Sequence, residues 1–395
     1  SVRKLKFYGQ DKKEEKAAAE AQKIEEKDLI FDKTFTCPVC GEDFPAKIMK
    51  TGKARLLSTD QDLRAKYEGI DAVKYDVILC PHCGYAALNR YFNSLNKVYI
   101  KLIKENISSK VQLHTYDDDI YSYEEAIERY KLCLANAVVK RAHASEKAYI
   151  CLKSGWLMRG YQEHLEESGD TDMARLREVK TMEETYLKNA YTGFTEALQT
   201  EGFPMCGMDE ITVEFLIAVL AARFQKYDVA SRMVATILTS PSANARTKDK
   251  ARELKDQILE ELKNETRTII LYEAPHRLVR TLEELKETLG NRRMTLCREL
   301  TKRHETAFHT TIEELILYYQ TEKPLGECVL VIEGRSRQEM EEEQKASWEK
   351  ITIEEHMEIY ENQGHSRKEA MKMVANDRGM TKRDVYQYLI NKTEE

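Results

Sequence analysis

Apolar positions at helical spacing dominate the middle of the chain. The four residues that begin at Ser122 form a helix-capping pattern, and Ala126, Tyr130 and Leu134 follow on one predicted helix face. The run from Leu216 to Ala221 is apolar throughout, which predicts a buried helix. The middle of the chain is therefore expected to form helical hairpins that stack on one another.

The pattern changes near residue 260, where strand-like runs begin to alternate with a helix. Strands are predicted at Thr268–Tyr272, Met294–Arg298 and Glu327–Glu333, and a helix is predicted at Leu278–Leu289. This alternation predicts a small α/β unit over residues 259–335.

The last part of the chain predicts short helices with recognisable caps. Residues 336–350 form a charged linker, and three helices follow within residues 351–395. Ser366 and Thr381 cap the second and third helices, while Gly364 and Gly379 supply the turns. This arrangement predicts a helix-turn-helix-like domain.

The beginning of the chain differs from both of these regions. Residues 1–30 are rich in Lys, Glu and Ala and carry no sustained apolar face, so we expect a frayed solvated helix or disorder there. In residues 31–95, short apolar runs lead into Cys37 and Cys80, as strands do in a zinc ribbon. The whole chain is thus predicted to be multidomain and mainly α, with a zinc-ribbon head, a tetratricopeptide-like helical array (96–258), an α/β half-domain and a three-helix end.

Two Cys-x-x-Cys motifs carry the strongest chemical signal. Cys37 and Cys40 form one, Cys80 and Cys83 form the other, and a glycine follows each pair. Two such turns aim four thiolates at one point, which predicts a closed structural Zn²⁺ site. The alternatives are free or disulfide-bonded cysteines, or a redox motif, and His82 is expected to be a spectator.

Charge, apolar runs and cysteine content narrow the range of partners and cellular locations that we expect. The 395 residues are 33% charged and 42% hydrophobic with a net charge of −6, so bulk charge predicts neither a nucleic-acid nor a membrane partner. No apolar run approaches 18 residues, and the lysine-rich start predicts no secretory signal. The five remaining cysteines show no pairing pattern, which predicts reduced thiols in a cytoplasmic protein.

The first two-thirds of the chain resembles a known bacterial family. Residues 67–70 (Tyr-Glu-Gly-Ile), residues 75–86 and the helices that follow are similar to the domain-of-unknown-function family 2225 over about residues 30–257. The resemblance implies a zinc ribbon joined to a tetratricopeptide-like body, with no established reaction. Because helical-hairpin arrays commonly bind peptides, a protein or peptide partner is expected.

The last third resembles a different family. Residues 272–277, 298–302 with Glu305, and 326–334 are similar to the C-terminal half of ribosomal RNA small subunit methyltransferase I, in the tetrapyrrole-methylase superfamily. The resemblance covers about residues 260–395. It implies methylation of a cytidine 2′-hydroxyl with S-adenosylmethionine, and a homodimer formed through this tail.

The chain departs from that second family in one respect. The N-terminal half of such an enzyme carries a glycine-rich cofactor loop, whereas Gly-x-Gly occurs nowhere in this sequence. S-adenosylmethionine is therefore expected to bind only if another chain supplies the missing half. The junction near residue 260 is interpreted either as a fusion whose tail is a catalytic remnant or as a chain that borrows its complementary half.

Polar residues at the predicted strand ends are the candidate site of the tail. A carboxylate or a histidine there can polarise a ribose hydroxyl, and a cation can orient a phosphate or a cofactor carboxylate. The alternative is that these groups hold the domain together by hydrogen bonds. The catalytic candidates are Glu273, His276, Arg277, Glu299 and Lys302, and the cofactor-binding candidates are Thr301 and Glu305.

The C-terminal helices supply candidate RNA contacts. Basic side chains there are placed to meet phosphates, although ordinary surface residues of a small helical domain have the same composition. The candidates are Arg367, Lys368, Arg378, Lys382 and Arg383.

Three functions are compatible with these observations. The preferred hypothesis is a zinc-binding helical-repeat scaffold with an incomplete methyltransferase-like tail that contacts ribosomal RNA. The alternative is an S-adenosylmethionine-dependent ribosomal RNA 2′-O-methyltransferase. A zinc-dependent nucleic-acid binder is disfavoured by the acidic balance and by the lack of interleaved aromatic and basic residues around the cysteines.

Overall fold

The computed structural model describes residues 25–114, 118–169, 172–300, 302–362 and 365–391. The predictions for residues 1–24 and for Gly364 lie outside this part of the chain. The described residues divide into two compact units, called unit 1 (up to Ala251) and unit 2 (from Arg252) below. The prediction of a multidomain, mainly α chain is confirmed.

Unit 1 begins with three short antiparallel hairpins. Their strands are β1 (Ile30–Thr36) with β2 (Asp43–Met49), β3 (Leu56–Thr59) with β4 (Ala65–Tyr67), and β5 (Val77–Leu79) with β6 (Ala86–Leu88). The helices that follow are α1 (Lys97–Ile103), α2 (Tyr123–Val139), α3 (Ala144–Glu167), α4 (Met173–Thr200), α5 (Glu210–Arg223), α6 (Tyr227–Thr239) and α7 (Ala245–Leu262), which ends in unit 2.

Aromatic residues from the hairpins build the first core of unit 1. Phe35 and Phe44 face each other in the β1–β2 register, and both lie near the ring of Phe92. The Tyr85 hydroxyl donates to the Phe92 carbonyl at 2.9 Å, so this buried tyrosine keeps its polar atom satisfied. The hairpins that carry the cysteines thus share one small apolar core.

The helices form a second core, in which small residues let α3 and α4 approach closely. A side chain at Gly155 would meet Leu187 at 2.5 Å, and one at Gly193 would meet Ala148 at 2.9 Å. Ser122 caps α2 by accepting from the Glu125 amide at 3.1 Å, as its sequence predicts. Helices α5 and α6 have 14 and 13 residues, as expected of a tetratricopeptide unit of about 34 residues, whereas α3 and α4 are longer, with 24 and 28 residues.

Unit 2 contains a four-stranded antiparallel sheet. Its elements are β7 (Ile269–Glu273), α8 (Leu278–Leu289), β8 (Arg293–Arg298), β9 (Thr306–Thr311), α9 (Ile312–Tyr318) and β10 (Cys328–Ile332), and the strand order is β7-β10-β8-β9. The three predicted strands and the predicted helix are present. Strand β9 and helix α9 have no counterpart among the predicted elements, because the polar β9 is an exposed edge strand without an apolar pattern.

The end of unit 2 is helical. The segment predicted as a charged linker contains α10 (Arg337–Glu349), and the three predicted helices are α11 (Ile353–Asn362), α12 (Arg367–Arg378) and α13 (Lys382–Asn391). Ser366 and Glu369 form a capping box, and Gly379 ends α12 in the left-handed conformation. Within the described ranges, no helix combines the length and the apolar character that a bilayer span requires.

A buried histidine organises the three-helix end. His356 is fully buried and stacks on Trp348 with ring centroids 3.8 Å apart. The Arg378 guanidinium donates to its Nδ1 at 3.2 Å, so this nitrogen is an acceptor. Burial, and then the charge of Arg378, lower the pKa of His356.

We therefore predict that acid weakens this domain. The unfolded state binds a proton at His356 near pH 6.5 and the folded state resists it, so stability is lost as pH falls through that value. In a W156F background, which leaves Trp348 as the remaining tryptophan, urea unfolding followed by Trp348 fluorescence should have a lower midpoint at pH 5.5 than at pH 7.5. H356Q should shrink that difference and H276Q should keep it; an unchanged difference in H356Q contradicts the assignment.

Candidate functional site

The cysteines of the two Cys-x-x-Cys motifs lie on two matched turns beside short hairpin strands. Cys37 follows β1 and Cys80 follows β5. The Gly41 amide donates to the Cys37 carbonyl at 2.8 Å, and the Gly84 amide donates to the Cys80 carbonyl at 3.1 Å. Both glycines have φ in the left-handed region, at +86° and +72°, which explains why a glycine closes each motif.

The four sulfurs converge on one point. The Sγ atoms of Cys37, Cys40, Cys80 and Cys83 all lie within 4.8 Å of one another, and the Cys37–Cys83 and Cys40–Cys80 distances are both 3.6 Å. A tetrahedral ion with bonds of about 2.3 Å to sulfur needs sulfurs roughly 3.8 Å apart. All four cysteines are free, so the disulfide alternative does not apply, and the cluster could hold a metal ion.

Electrostatics favours a cation at the centre of this cluster. Hydrogen bonds from the neighbouring thiols, first that of Cys80, hold the pKa of Cys37 well below its ordinary value. The contact with Cys37 raises the pKa of Cys80 to about 12 and also raises that of Cys83. Since one thiolate disfavours the next at this spacing, four thiolates need a divalent ion among them.

The rest of unit 1 supports the second turn. The Asn136 side chain on α2 donates to the Gly84 carbonyl at 3.0 Å in a buried position. His82 is exposed and lies outside the sulfur cluster. Hairpin backbone therefore holds both motifs, and the Asn136 contact also ties the second motif to α2.

In unit 2, the catalytic candidates Glu273, His276 and Arg277 lie at and directly after the end of β7. Cys328 pairs with Glu273 on one side and with Arg298 on the other. The Glu273 carboxylate accepts from the Ala274 amide at 2.8 Å and from the Thr281 hydroxyl at 2.6 Å, and it lies 3.1 Å from the Arg277 guanidinium. Glu273 and Arg277 therefore hold the strand-to-helix turn, which leaves His276 exposed beside them.

The second group of candidates is also paired internally. Glu299 has φ +51°, and its carboxylate accepts from the Glu327 amide at 2.9 Å, which lowers the pKa of Glu299. Lys302 lies between two carboxylates, 3.1 Å from Glu327 and 3.6 Å from Glu299. Glu305 is exposed, and Thr301 lies outside the described residues.

A cavity of about 590 Å³ lies beside these strand ends. The end of β7, the start of β10 and Leu300, which follows β8, line it, with Glu273 among the lining residues. Tyr272, which is 81% exposed, also lines it but was not among the predicted site residues, because a tyrosine inside an apolar run gives no signal beyond strand packing. The full lining is Tyr272, Glu273, Ala274, Leu300, Glu327, Cys328 and Val329.

Four of the five basic RNA candidates point to solvent. These four are exposed on α12 and α13, and Tyr386 is 54% exposed on α13 close to them. Arg378 differs, because its guanidinium donates to the Ile351 and Thr352 carbonyls at 2.7 and 2.9 Å as well as to His356. Arg378 thus holds the helices of this domain together. The exposed four are Arg367, Lys368, Lys382 and Arg383.

Two protein-family models match different but overlapping parts of this chain. Residues 30–258, more than half of the chain, match the family described as "Uncharacterized protein conserved in bacteria (DUF2225)". Residues 217–316 match the family "Tetrapyrrole (Corrin/Porphyrin) Methylases", so the two matches overlap on helices α5 to α7.

Curated relatives match part of the chain. Ribosomal RNA small subunit methyltransferase I from Bacillus subtilis is 43% identical over 143 residues, which are 36% of this chain and 47% of the relative. The enzyme of the same name from Halalkalibacterium halodurans is 42% identical over 33% of this chain and 44% of the relative. That from Synechocystis is 34% identical over 40% of this chain and 57% of the relative. The chain thus spans about half the length of these relatives.

We predict that the sulfur cluster holds metal and stabilises unit 1. C80S should reduce the bound metal from about one ion per chain to a small fraction, as measured by elemental mass spectrometry. It should also lower the unfolding temperature of unit 1 by roughly 10 °C, since a structural site contributes several kcal/mol and each is worth about 2–4 °C in a domain of this size. C297S, in unit 2 and outside the cluster, is the matched control and should keep the metal; equal metal in both variants contradicts the site.

Proposed function

Because the chain belongs to the family of uncharacterized proteins conserved in bacteria (DUF2225), we propose that unit 1 is a zinc-stabilised helical scaffold that binds a protein or peptide. The observation that carries this proposal is the convergence of four cysteine sulfurs on two hairpin turns beside a stack of helices. The scaffold presents its helices, and the metal keeps the hairpins in place against them.

Zinc is the ion that fits these four sulfurs best. Four thiolates in a tetrahedral arrangement suit Zn²⁺, which has no geometric preference of its own and forms closed structural sites with such ligands. Cys37, Cys40, Cys80 and Cys83 would hold the ion, which would supply cross-linking and no reaction chemistry, because these four thiolates would fill its coordination positions. The backbone turns and the Asn136 contact orient those ligands.

The tail contributes an RNA-facing surface in this proposal. The curated relatives of the tail are named for ribosomal RNA, and four basic side chains are exposed on α12 and α13. Exposed Tyr386 adds a ring on which a base can stack. The scaffold would thereby be held near RNA while its helices hold a second partner.

A second candidate function is that of an S-adenosylmethionine-dependent ribosomal RNA methyltransferase of the small subunit. The 43% identity of the tail to the Bacillus subtilis enzyme favours it. In that case a complementary α/β half from another chain completes the cofactor site at the ends of β7 and β8. The cavity there and the exposed His276 are what this chain would offer.

The two functions differ in cofactor binding by the chain alone. We predict that titration calorimetry of the zinc-loaded full chain with S-adenosylmethionine gives no binding heat, because Glu273 and Glu299 are engaged in holding the strand ends. Zinc content is measured on the same sample to show that the scaffold is intact. Micromolar cofactor binding would place the methyltransferase function first.

We also predict that the K382A/R383A variant binds a labelled small-subunit ribosomal RNA fragment more weakly than the parent chain. The loss should be roughly tenfold at 100 mM salt and should flatten the dependence of affinity on salt, since about two phosphate contacts are removed. K180A/K188A removes two exposed charges from α4 in unit 1 and is the matched control. RNA affinity that is equally reduced in the control variant would argue against a surface on the tail.

A further inference from the structure

Unit 1 contains a large cleft that is separate from the sulfur cluster. Its volume is about 1020 Å³, and it lies between the β3–β4 hairpin, the segment that follows β4 and the helices α2, α3 and α4. A volume of this size exceeds what an ion or a small metabolite needs and is of the order of the largest ligand pockets. It suits an extended peptide with its side chains.

Buried charges hold the floor of the cleft in place. The Arg64 side chain is only 5% exposed and lies 3.0 Å from Glu163 on α3 and 3.4 Å from Asp71. Gly160 makes this packing possible, because a side chain on it would lie 2.1 Å from the Asp71 carboxylate. The Tyr123 hydroxyl donates to the same carboxylate at 3.2 Å. The floor is therefore formed before any ligand arrives.

The β3–β4 hairpin is fixed to the helices at a second place. Arg159 on α3 contacts Asp60 at 2.9 Å, Asp62 at 2.7 Å and Glu183 at 2.9 Å. Asp62 and Glu183 are both buried. Removing a partner from such a buried network is costly, so the hairpin forms a stable wall of the cleft.

Two aromatic rings line another part of the cleft, and each has a cation over it. Tyr123 and Tyr161 stack with ring centroids 5.1 Å apart. The Lys74 ammonium lies 5.1 Å over the Tyr123 ring, and the Arg175 guanidinium lies 5.7 Å over the Tyr161 ring. The chain's own cations therefore already lie over both rings of this part of the cleft.

The side chains that line the cleft carry more negative than positive charge. Its basic side chains are each paired, as in the contacts between Lys74 and Glu26 at 2.6 Å and between Arg175 and Glu124 at 3.1 Å. Seven carboxylates and four basic side chains line the cleft, which leaves an excess of three negative charges. The remaining acids are exposed at the rim and form no ion pair with the residues that the structure describes: Asp118, Asp119 and Glu167.

We propose that this cleft binds a basic peptide segment of a partner protein, with its lysine or arginine side chains against the acidic rim and its apolar side chains against the exposed Leu57. The inference rests on the proposed scaffold function and names its binding surface and the chemistry of its partner. The rim carboxylates steer and hold the cations, and the preformed floor limits the conformational cost of binding.

The test uses the zinc-loaded full chain and two fluorescein-labelled heptapeptides, one alternating lysine with leucine and one alternating glutamate with leucine. Fluorescence anisotropy should show binding of the lysine peptide and none of the glutamate peptide. D119N/E167Q should weaken binding about fivefold, since two exposed ion pairs of roughly 0.5 kcal/mol each are lost. Rising salt should weaken the parent complex more than that of the variant.

E178Q/E184Q is the matched control, because it removes two exposed carboxylates from α4 outside the cleft. It should bind the lysine peptide as the parent chain does. Equal weakening in both double variants, equal binding of both peptides, or no binding of the lysine peptide would overturn the cleft assignment. Zinc content and thermal unfolding of the same samples test the scaffold itself, so a failed cleft with an intact zinc site is distinguishable from a failed scaffold.

Discussion

Unit 1 depends on four sulfurs meeting at one point. The β5–β6 hairpin has strands of three residues, too short to be stable alone in water, and the aromatic core beneath the hairpins is small. A metal ion held by the four sulfurs would join the turn after β1 to the turn after β5 and so close the long loop that contains the β3–β4 hairpin. That hairpin is in turn clamped to α3 by Arg159 and Arg64. The cross-link, the hairpin and the cleft wall are therefore one connected structure.

In unit 2, polar side chains at the strand ends stabilise the fold. Glu273 and Glu299 accept backbone amides, and Arg378 binds carbonyls in front of α11. A group that already satisfies buried or strained backbone is less available for catalysis, since using it would leave that backbone unpaired. This engagement supports the proposal that unit 2 shares the framework of its methyltransferase relatives and needs a complementary half for their chemistry.

Local sequence signals predicted much of this architecture, and non-local contacts account for the rest. The spacing of Cys37, Cys40, Cys80 and Cys83 and the caps at Ser122 and Ser366 depend on residues a few positions apart, so the sequence displays them directly. Strand β9 was not predicted, because its residues show no apolar pattern. Its pairing with β8, which the sequence does not display, holds it in the sheet. The internal role of Arg378 required the packing of α11 against α12, which composition alone does not reveal. The cleft was not predicted either, because its floor brings Asp71 together with Gly160 and Tyr123, which are far apart in the sequence.

The most direct test of this account is X-ray absorption at the zinc edge on the purified full chain. The account predicts that four sulfur atoms surround the ion at about 2.3 Å, with no nitrogen or oxygen in the coordination shell. A spectrum that requires nitrogen or oxygen ligands, or fewer than four sulfurs, would contradict the closed four-cysteine site on which unit 1 is built.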